Sequence, residues 1–439
     1  MLLNYKADLM HSVNNNAFYA DLHVHSYYSR ATSKACNLEG LQAWAQLKGI
    51  KVVGTGDCTH PVWLEELQQK LIPAAPGLYK LRNKYAITAN ANVPAKCRAD
   101  VFFMLTGEVS TIYKRGDKVR KIHSMVWLPD FSSALKFQKK LAAIGNIVSD
   151  GRPILGLDQR VLLALLLESH ENAMLVPAHI WTPWFAMLGS KSGFESLEEC
   201  FGDLSPHVKV VETGLSSDPP MNWRVSSLDN VAFVSNSDIH SPSNLARNAN
   251  VFYGAPDYFN IVAGLSSRDP TLCGGTIDMF PEAGKYFFDG HRPCGIVMHP
   301  KESIKNNNIC PKCGKELTLG VLHQVETLAD RDSGLKPVNA LPFQYIIPLP
   351  EIVAEIVGTK STSKKVITLY HRILSNLGPE LDVLLHTEKE AFEAAEMPDL
   401  ASAIDAMRAG KVIRKGGYDG VYGCIRTLVN KTTDFSNVN

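Results

Sequence analysis

Six short apolar runs, each containing or followed by a histidine or a carboxylate, limit the fold of this sequence more than any other feature. They lie between residues 20 and 240 and are separated by helical or loop stretches. Strands that alternate with helices usually pair in parallel. Seven or eight such units form a barrel, which collects the carboxyl ends of its strands on one face. The sequence therefore predicts an α/β fold, a distorted (β/α) barrel with polar side chains gathered at one end.

The polar residues of these runs are all of types that bind divalent metal ions. His23 and His25 are two residues apart, so in a strand their rings point to the same face. A catalytic ion needs further ligands and an open position. Taken singly, each polar residue is more often an ordinary core or loop residue, but the whole set favours a metal cluster. The predicted metal ligands are His23, His25, Asp57, Glu108, His123, His179, Asp238 and His240.

Composition limits the class of protein and its compartment. The chain has 439 residues, enough for two or three domains, and its formal net charge of +1 gives no bulk attraction to nucleic acid. Local basic patches would have to supply any such affinity. The nine cysteines are scattered apart from one C-x-x-C pair, and no secretory leader or apolar run of about 18 residues is present. We expect a cytoplasmic protein that does not enter a membrane.

A second, structural metal site is predicted in a Gly- and Pro-rich region. Cys310 and Cys313 form a C-x-x-C pair followed by Gly314, a pattern that suits a tight turn around a zinc ion. His291 and Cys294 are the expected remaining ligands, although His299 and His323 compete with His291. The alternative is a reduced pair without metal. A zinc ion with four protein ligands would hold together a small module that lacks a core.

The order of these features predicts three domains. They are a catalytic barrel over residues 1–265, a zinc-binding module over 266–335 and a helical DNA-binding domain over 336–439. Helices are predicted over 38–48, with Gly49 as the stop, and over 349–357, 364–377 and 388–408. The tail carries Lys411, Arg414, Lys415 and Tyr418 among glycines, which favours phosphate contacts. A solvated basic turn is the alternative for that segment.

Several of these motifs together resemble the polymerase and histidinol phosphatase (PHP) family and, within it, endonuclease Q. The resemblance rests on His23-Val24-His25, Gly56-Asp57, Glu108, His123, His179 and Asp238-Ile239-His240. It also rests on the segments Ser29–Lys34, Gly54–Asp57, Pro177–Phe185 and Gly189–Phe194, with the C-x-x-C pair, Gly320–His323 and Gly417–Gly420 further along. The resemblance covers nearly the whole chain.

The resemblance implies a site with two or three divalent ions, of Zn, Mn, Fe or Mg. His23, His25, Glu108 and Asp238 would bind the first ion, and Glu108, His123 and His179 the second. The sequence departs from the family pattern where three-metal members have two further histidines. A third ion would therefore depend on Asp57 and His240. Asp57, Glu108, Asp238 and His240 are the residues expected to act in catalysis.

The implied reaction is hydrolysis of DNA 5′ to deaminated bases such as uracil, hypoxanthine and xanthine, or at abasic sites. Two ions about 4 Å apart activate water and stabilise the phosphate oxygens. The substrate would be damaged double- or single-stranded DNA in the nucleoid, with replication or repair proteins as further partners. Arg30, Ser33, Lys34, Ser190 and Lys191 would bind the DNA. Trp181, Trp184 and Phe185 would recognise the extruded base.

Two other functions remain open at this stage. A small-molecule phosphoesterase of the histidinol-phosphatase kind explains the metal ligands but not the zinc module or the basic tail. A non-catalytic DNA-binding module with a degenerate site is disfavoured because no ligand position holds an apolar residue. Nicking of a deoxyuridine duplex, release of a phosphomonoester, or neither, would separate the three.

Overall fold

A computed structural model describes residues 16–427, and its centre is a mixed β-sheet of eleven strands. The first fifteen residues of the predicted catalytic barrel lie outside this range. The strands of the described chain are β1 (Ala17–Asp21), β2 (Ile50–Gly54), β3 (Leu71–Ala75), β4 (Leu78–Leu81), β5 (Phe102–Arg115), β6 (Lys118–Leu128), β7 (Ile154–Leu155), β8 (Met174–Pro177), β9 (Val210–Glu212), β10 (Ala232–Val234), β11 (Ala249–Tyr253), β12 (Cys273–Met279), β13 (Asp289–His291), β14 (Ile296–Met298), β15 (Phe343–Ile346), β16 (Ile413–Lys415) and β17 (Cys424–Arg426).

The strand pairing is only partly parallel, which corrects the expectation from sequence. β2 lies between β1 and β5 with parallel pairing on both sides, and β9 pairs with β10 in parallel. β6 instead pairs antiparallel with β5 along eleven residue pairs, and β8 pairs antiparallel with β6. The reason is a hairpin: Gly116, at φ 60°, makes the tight turn between β5 and β6, so no helix intervenes.

Ten of the described strands contribute residues to one buried apolar core, and the candidate metal ligands lie at its end. Beyond the paired strands, the Ile180 N–H donates to the Glu212 carbonyl at 3.1 Å, and Val24 forms a parallel bridge with Ile239. The distorted barrel itself stays a prediction, because the described strands show no ladder between β8 and β9. The core residues from β1, β2, β5, β6, β8, β9 and β10 include Ala20, Val52, Met104, Met125, Trp127, Met174, Val176, Val210, Ala232 and Val234.

Four predicted helical segments have outcomes in the structure. Helices over 38–48, 349–357 and 364–377 are confirmed with those bounds, and Gly49 ends the first in the left-handed conformation at φ 85°. The segment 388–408 forms two helices because Pro398 starts a new one. The helices are α1 (Leu38–Lys48), α2 (Pro61–Lys70), α3 (Asn83–Asn90), α4 (Phe131–Ala142), α5 (Gln159–Ser169), α6 (Leu197–Phe201), α7 (Pro219–Asn222), α8 (Tyr258–Ser267), α9 (Pro300–Lys305), α10 (Val321–Leu328), α11 (Leu349–Val357), α12 (Lys364–Leu377), α13 (Glu380–Leu385), α14 (Lys389–Ala394) and α15 (Pro398–Arg408).

The central sheet continues past the predicted first domain. β12 pairs antiparallel with β11, and β15 then pairs in parallel with β12. The three-domain division therefore stays a prediction, and it has to accommodate two strands that join the sheet from beyond residue 265. Among residues 16–427, no helix is long and apolar enough to cross a membrane.

Candidate metal centre

Two groups of potential metal ligands lie side by side at the end of the core. One group is His23, His25 and Asp238, and the other is Glu108, His123 and His179; within each group the ligand atoms lie within 4.8 Å of one another. Glu108 joins them. Its Oε2 lies 3.2 Å from His25 Nε2, whereas its Oε1 lies 2.7 Å from His123 Nδ1 and 3.4 Å from His179 Nε2.

Of the four histidines in these groups, His23, His25 and His179 direct Nε2 toward the centre. In each of them a neighbouring side chain contacts the other ring nitrogen, Nδ1. Glu212 accepts from His23 Nδ1 at 3.0 Å, and Asp57 accepts from His25 Nδ1 at 3.1 Å. Thr182 Oγ1 lies 3.2 Å from His179 Nδ1. Carboxylates and hydroxyls in this position fix the tautomer and the ring plane of a metal-binding histidine. The arrangement therefore leaves each Nε2 lone pair free to bind an ion.

The ligand atoms themselves have no hydrogen-bond partner among the described residues. This holds for His23 Nε2, His25 Nε2, Glu108 Oε1, His123 Nδ1 and Asp238 Oδ1, all of which are buried. Buried polar atoms in folded proteins are nearly always paired, because an unpaired one costs roughly 1 to 3 kcal/mol. Nitrogen and carboxylate oxygen atoms that converge on one space are the donor set of a divalent transition ion. These residues therefore fit the metal centre that the sequence predicts.

The backbone is strained at several of these positions. Asp57, His179 and Asp238 have φ values of 48°, 31° and 48°, in the left-handed region that non-glycine residues rarely adopt. Phe185, whose ring lies 4.8 Å from that of His123, has φ 59°. Such strain persists where the surrounding structure enforces it, and it is typical of functional sites.

The charges around the centre favour ionised carboxylates. Burial alone would raise the pKa of Glu108, but His123, Arg152 and His23 lower that pKa well below its usual value. Burial lowers the pKa of His123 to about 4, so its ring is neutral at pH 7, as a metal ligand must be.

Two predicted ligands, Asp57 and His240, lie outside both groups. Asp57 is fully buried behind His25, and it also accepts from the backbone and hydroxyl of Ser26 and from the Ser29 hydroxyl. It therefore positions His25, which corrects its assignment as a ligand in the described conformation. His240 lies beside His25, with ring centroids 4.7 Å apart, and its Nδ1 is 4.0 Å from Asp238 Oδ1.

The predicted zinc ligands converge in the structure. Atoms of His291, Cys294, Cys310 and Cys313 lie within 4.8 Å of one another, and the cysteines are free thiols. Burial opposes ionisation of Cys310, but the N–H groups of Lys312 and Cys313 donate to its sulfur and lower its pKa to about 7. The competing histidines are engaged elsewhere: His323 pairs with Asp289, and His299 caps helix α9.

The predicted aromatic residues differ in accessibility. Trp181 is only 1% exposed, and its indole N–H donates to Asn222 at 2.7 Å. A ring that stacks on a base must be reachable, so Trp181 is a core residue, contrary to expectation. Trp184 is 42% exposed and meets the ring of Tyr286 edge-on at 5.7 Å.

The predicted DNA-binding residues fall into three places. Arg30, Ser33 and Lys34 lie on the loop after His25, where the Ser33 N–H donates to the His240 carbonyl at 2.8 Å. Ser190 and Lys191 follow the Trp184 loop, and Lys191 is exposed. Arg414 pairs with Glu282 and lies over the Phe280 ring. The remaining predicted residues of the tail are Lys411 and Lys415, both exposed, and Tyr418, which packs on Gly290.

Two residues of the site were missed by the sequence reasoning. Glu212 is fully buried and accepts from His23, from the His179 N–H and from the Asn236 amide. Its signal was present, because it directly follows the apolar residues Val210 and Val211, just as the predicted ligands lie in or after apolar runs. Arg152 donates to Glu108 Oε2 at 3.0 Å. No local pattern in the Asp150–Pro153 turn indicates that contact.

The chain is similar to several known proteins. Residues 348–411 match the family described as the MJ0043 C-terminal domain. The uncharacterized protein YqxK of Bacillus subtilis (strain 168) is 27% identical over 427 residues, covering 93% of this chain and 99% of YqxK. The crystal structure of the lesion-specific endonuclease PfuEndoQ from Pyrococcus furiosus has a TM-score of 0.81 at 29% identity. It covers 96% of this chain and 99% of that chain.

A second crystal structure is similar over the same length. It is that of endonuclease Q with a 27-mer duplex substrate that has an abasic lesion at the active site. Its TM-score is 0.80 at 29% identity, and the match covers 96% of this chain and 100% of that one. The fold and the site define an α/β protein with a candidate metal centre. Over nearly its whole length the chain is similar to endonuclease Q.

Proposed function

We propose that this protein is a metal-dependent endonuclease that cleaves DNA 5′ to deaminated bases, namely uracil, hypoxanthine and xanthine, and at abasic sites. The observation that carries the proposal is the pair of ligand groups joined by Glu108, whose buried ligand atoms lack partners among the described residues. The similarity to endonuclease Q bound to a duplex with an abasic lesion supports DNA as the substrate.

The residues have separate tasks in this reaction. His23, His25, Asp238 and Glu108 Oε2 would hold one divalent ion, and Glu108 Oε1, His123 and His179 a second. Two such ions activate a water and stabilise both the attacking and the leaving oxygen of a phosphodiester. Glu212, Asp57 and Thr182 keep the histidine rings oriented. Glu108 connects the two ligand groups, because one of its carboxylate oxygens faces each group.

His240 is placed to accept a proton. Burial and the neighbouring His25 lower its pKa, so that the imidazole is neutral at pH 7. Its Nδ1 faces the carbonyl oxygen of Asp238 at 3.4 Å, which favours the tautomer protonated at Nδ1. Nε2 is then free to take a proton from the attacking water. The ring is partly exposed, so solvent can reach it.

Base recognition is assigned to Trp184 and Phe185. An enzyme that inspects one base of a duplex has to extrude it and stack it on an aromatic or apolar surface. Trp184 is accessible and is linked to the metal centre, because Thr182 Oγ1 donates to the Trp184 carbonyl and contacts His179. Phe185 lies against His123. This placement would bring an extruded base close to the phosphate that is cleaved.

The remaining parts of the proposal concern DNA binding and zinc. His291, Cys294, Cys310 and Cys313 would bind a structural zinc ion, which stabilises the β13–β14 hairpin. Arg30, Ser33, Lys34, Ser190 and Lys191 line the catalytic side, and Lys411, Arg414 and Lys415 offer charge at the β16–β17 hairpin. The strands around the shared core are interpreted as the distorted barrel of PHP enzymes.

The proposal is tested with short labelled duplexes that carry one deoxyuridine, deoxyinosine or abasic site, beside an undamaged duplex and a chromogenic phosphomonoester. We expect metal-dependent nicking 5′ to the lesion and no release from the phosphomonoester. Glu108→Gln and Asp238→Asn should abolish nicking while the folded protein still binds the duplex. Phosphomonoester release without nicking would instead favour a small-molecule phosphoesterase. Neither activity at full metal content would favour a non-catalytic DNA-binding module.

A further inference from the structure

Arg152 is a basic residue inside the acidic centre. It lies on the turn between α4 and β7, and its Nη1 donates to Glu108 Oε2 at 3.0 Å. Its guanidinium has no other hydrogen-bond acceptor among the described residues. The side chain is 27% exposed, and the side chains of Asp238 and His240, which lie near it, are 29% and 36% exposed. A guanidinium has five N–H donors, so most of them remain available at the opening of the site.

The position of Arg152 is fixed by the turn that carries it. The Gly151 N–H donates to the Tyr28 carbonyl at 3.0 Å, and the Ser110 N–H donates to the Pro153 carbonyl at 2.9 Å. The Arg152 N–H itself donates to Asp150 Oδ1 at 3.2 Å. A Cβ at Gly151 would lie 2.3 Å from Asp57 Oδ2, so only glycine lets the turn approach this closely. The loop after His25 and the middle of β5 therefore hold this turn, and with it Arg152, beside the centre.

The contact with Glu108 does not compete with an ion. Each carboxylate oxygen offers two acceptor positions, so Oε2 can face an ion and still accept from Arg152. A planar guanidinium pairs with two oxygens of one phosphate at once, which an ammonium group cannot do. The ligand class that fits the free edge of Arg152 is therefore a phosphate anion.

We propose that Arg152 binds the non-bridging oxygens of the scissile phosphodiester and stabilises the charge that develops on them during cleavage. The inference rests on the proposed endonuclease function. It gives Arg152 a role in substrate binding. The alternative is that Arg152 only neutralises the charge of Glu108. In that simpler role Arg152 would affect metal binding and not phosphate binding, and the two roles can be measured separately.

The first measurement is cleavage by Arg152→Met and Arg152→Lys at saturating metal. Removal of one donor to a developing oxyanion lowers kcat by about 100- to 1000-fold in other enzymes, and we expect a loss of that order for Arg152→Met. Arg152→Lys should recover part of it, because it keeps the charge and loses the two-pronged geometry. Arg160→Met is the matched control: this exposed arginine pairs with Asp203, away from the centre, and its loss should leave kcat unchanged.

The second measurement does not depend on turnover. The metal content of each variant is determined, and the metal-loaded protein is titrated with inorganic phosphate by calorimetry. We expect Arg152→Met to keep its metal and bind phosphate about tenfold more weakly, as for the loss of one charge-assisted hydrogen bond. Phosphate affinity equal to that of the parent, or loss of metal, would overturn the inference. A parent that does not nick lesion DNA would contradict the proposed function instead.

Discussion

At the scale of single residues, the centre depends on buried groups that would not touch the ions. Glu212 is the clearest case, because its carboxylate holds His23 and the backbone of His179 at once. We predict that Glu212→Gln weakens metal binding by about 10- to 100-fold, the usual effect of losing such a partner. Titration against a competing chelator measures this, and Glu199→Gln, an exposed carboxylate beside Arg120, is the control. Parent-like affinity in the Glu212 variant would show that His23 needs no support.

A second prediction at this scale separates the two tryptophans of the Pro177–Phe185 segment. Trp184→Ala should slow cleavage at uracil by about ten- to a hundredfold, since base stacking contributes roughly 1 to 3 kcal/mol. Cleavage at an abasic site, which has no base to stack, should be nearly unaffected. Trp181→Ala should lower the free energy of unfolding by about 3 to 5 kcal/mol through a core cavity. Equal losses on both substrates for Trp184→Ala would remove it from base recognition.

Sequence reasoning works for residues whose position follows from a local pattern. His23, His25, Glu108, His123, His179 and Asp238 were predictable because each lies in or after an apolar run, and the structure brings them together. Asp57 has the same signal, yet hydrogen bonds from Ser26 hold its carboxylate behind His25. Whether a residue faces the ion or supports a ligand depends on contacts across about thirty residues of chain, and no local pattern encodes those.

At the scale of elements, the expected topology was wrong at one turn, where β5 and β6 form a hairpin and pair antiparallel. The β5–β6 hairpin has 14- and 11-residue strands joined at Gly116 and Asp117, a signal that favours antiparallel pairing. The prediction of parallel strands assumed a helix between every two apolar runs. Helices with clear local signals were easier to predict from the sequence. For example, α1 has an Asn37 cap, a regular apolar spacing and a glycine at its end.

The zinc module gives the prediction at this scale. Cys310→Ser with Cys313→Ser should remove one zinc ion per chain and lower the thermal stability, because a structural ion contributes folding free energy directly. Cys424→Ser, at a thiol in β17, should keep the zinc. Elemental analysis and thermal unfolding measure the two effects. An unchanged zinc content in the double variant would contradict the assignment of the four ligands.

At the scale of the whole molecule, a buried ion pair connects the C-terminal helices to α1. Lys48 of α1 and Glu380 of α13 are each only 3% exposed, and their charged atoms lie 2.5 Å apart. Glu380 also accepts from the Tyr370 hydroxyl at 2.7 Å and from the Leu349 N–H at 3.0 Å. One carboxylate thus ties together α1, α11, α12 and α13.

We predict that Lys48→Met lowers the free energy of unfolding by about 3 to 5 kcal/mol, because it leaves the Glu380 charge buried without a partner. Combining it with Glu380→Gln should recover most of the loss, since the amide keeps an acceptor for Leu349 and no charge remains. Lys70→Met is the matched control. Lys70 pairs with Glu39 and Glu66 where all three are partly exposed, so it should cost less than about 1 kcal/mol. Denaturant titration compares the variants. If Lys48→Met and Lys70→Met had equal effects, the pair would not fasten the C-terminal helices to α1.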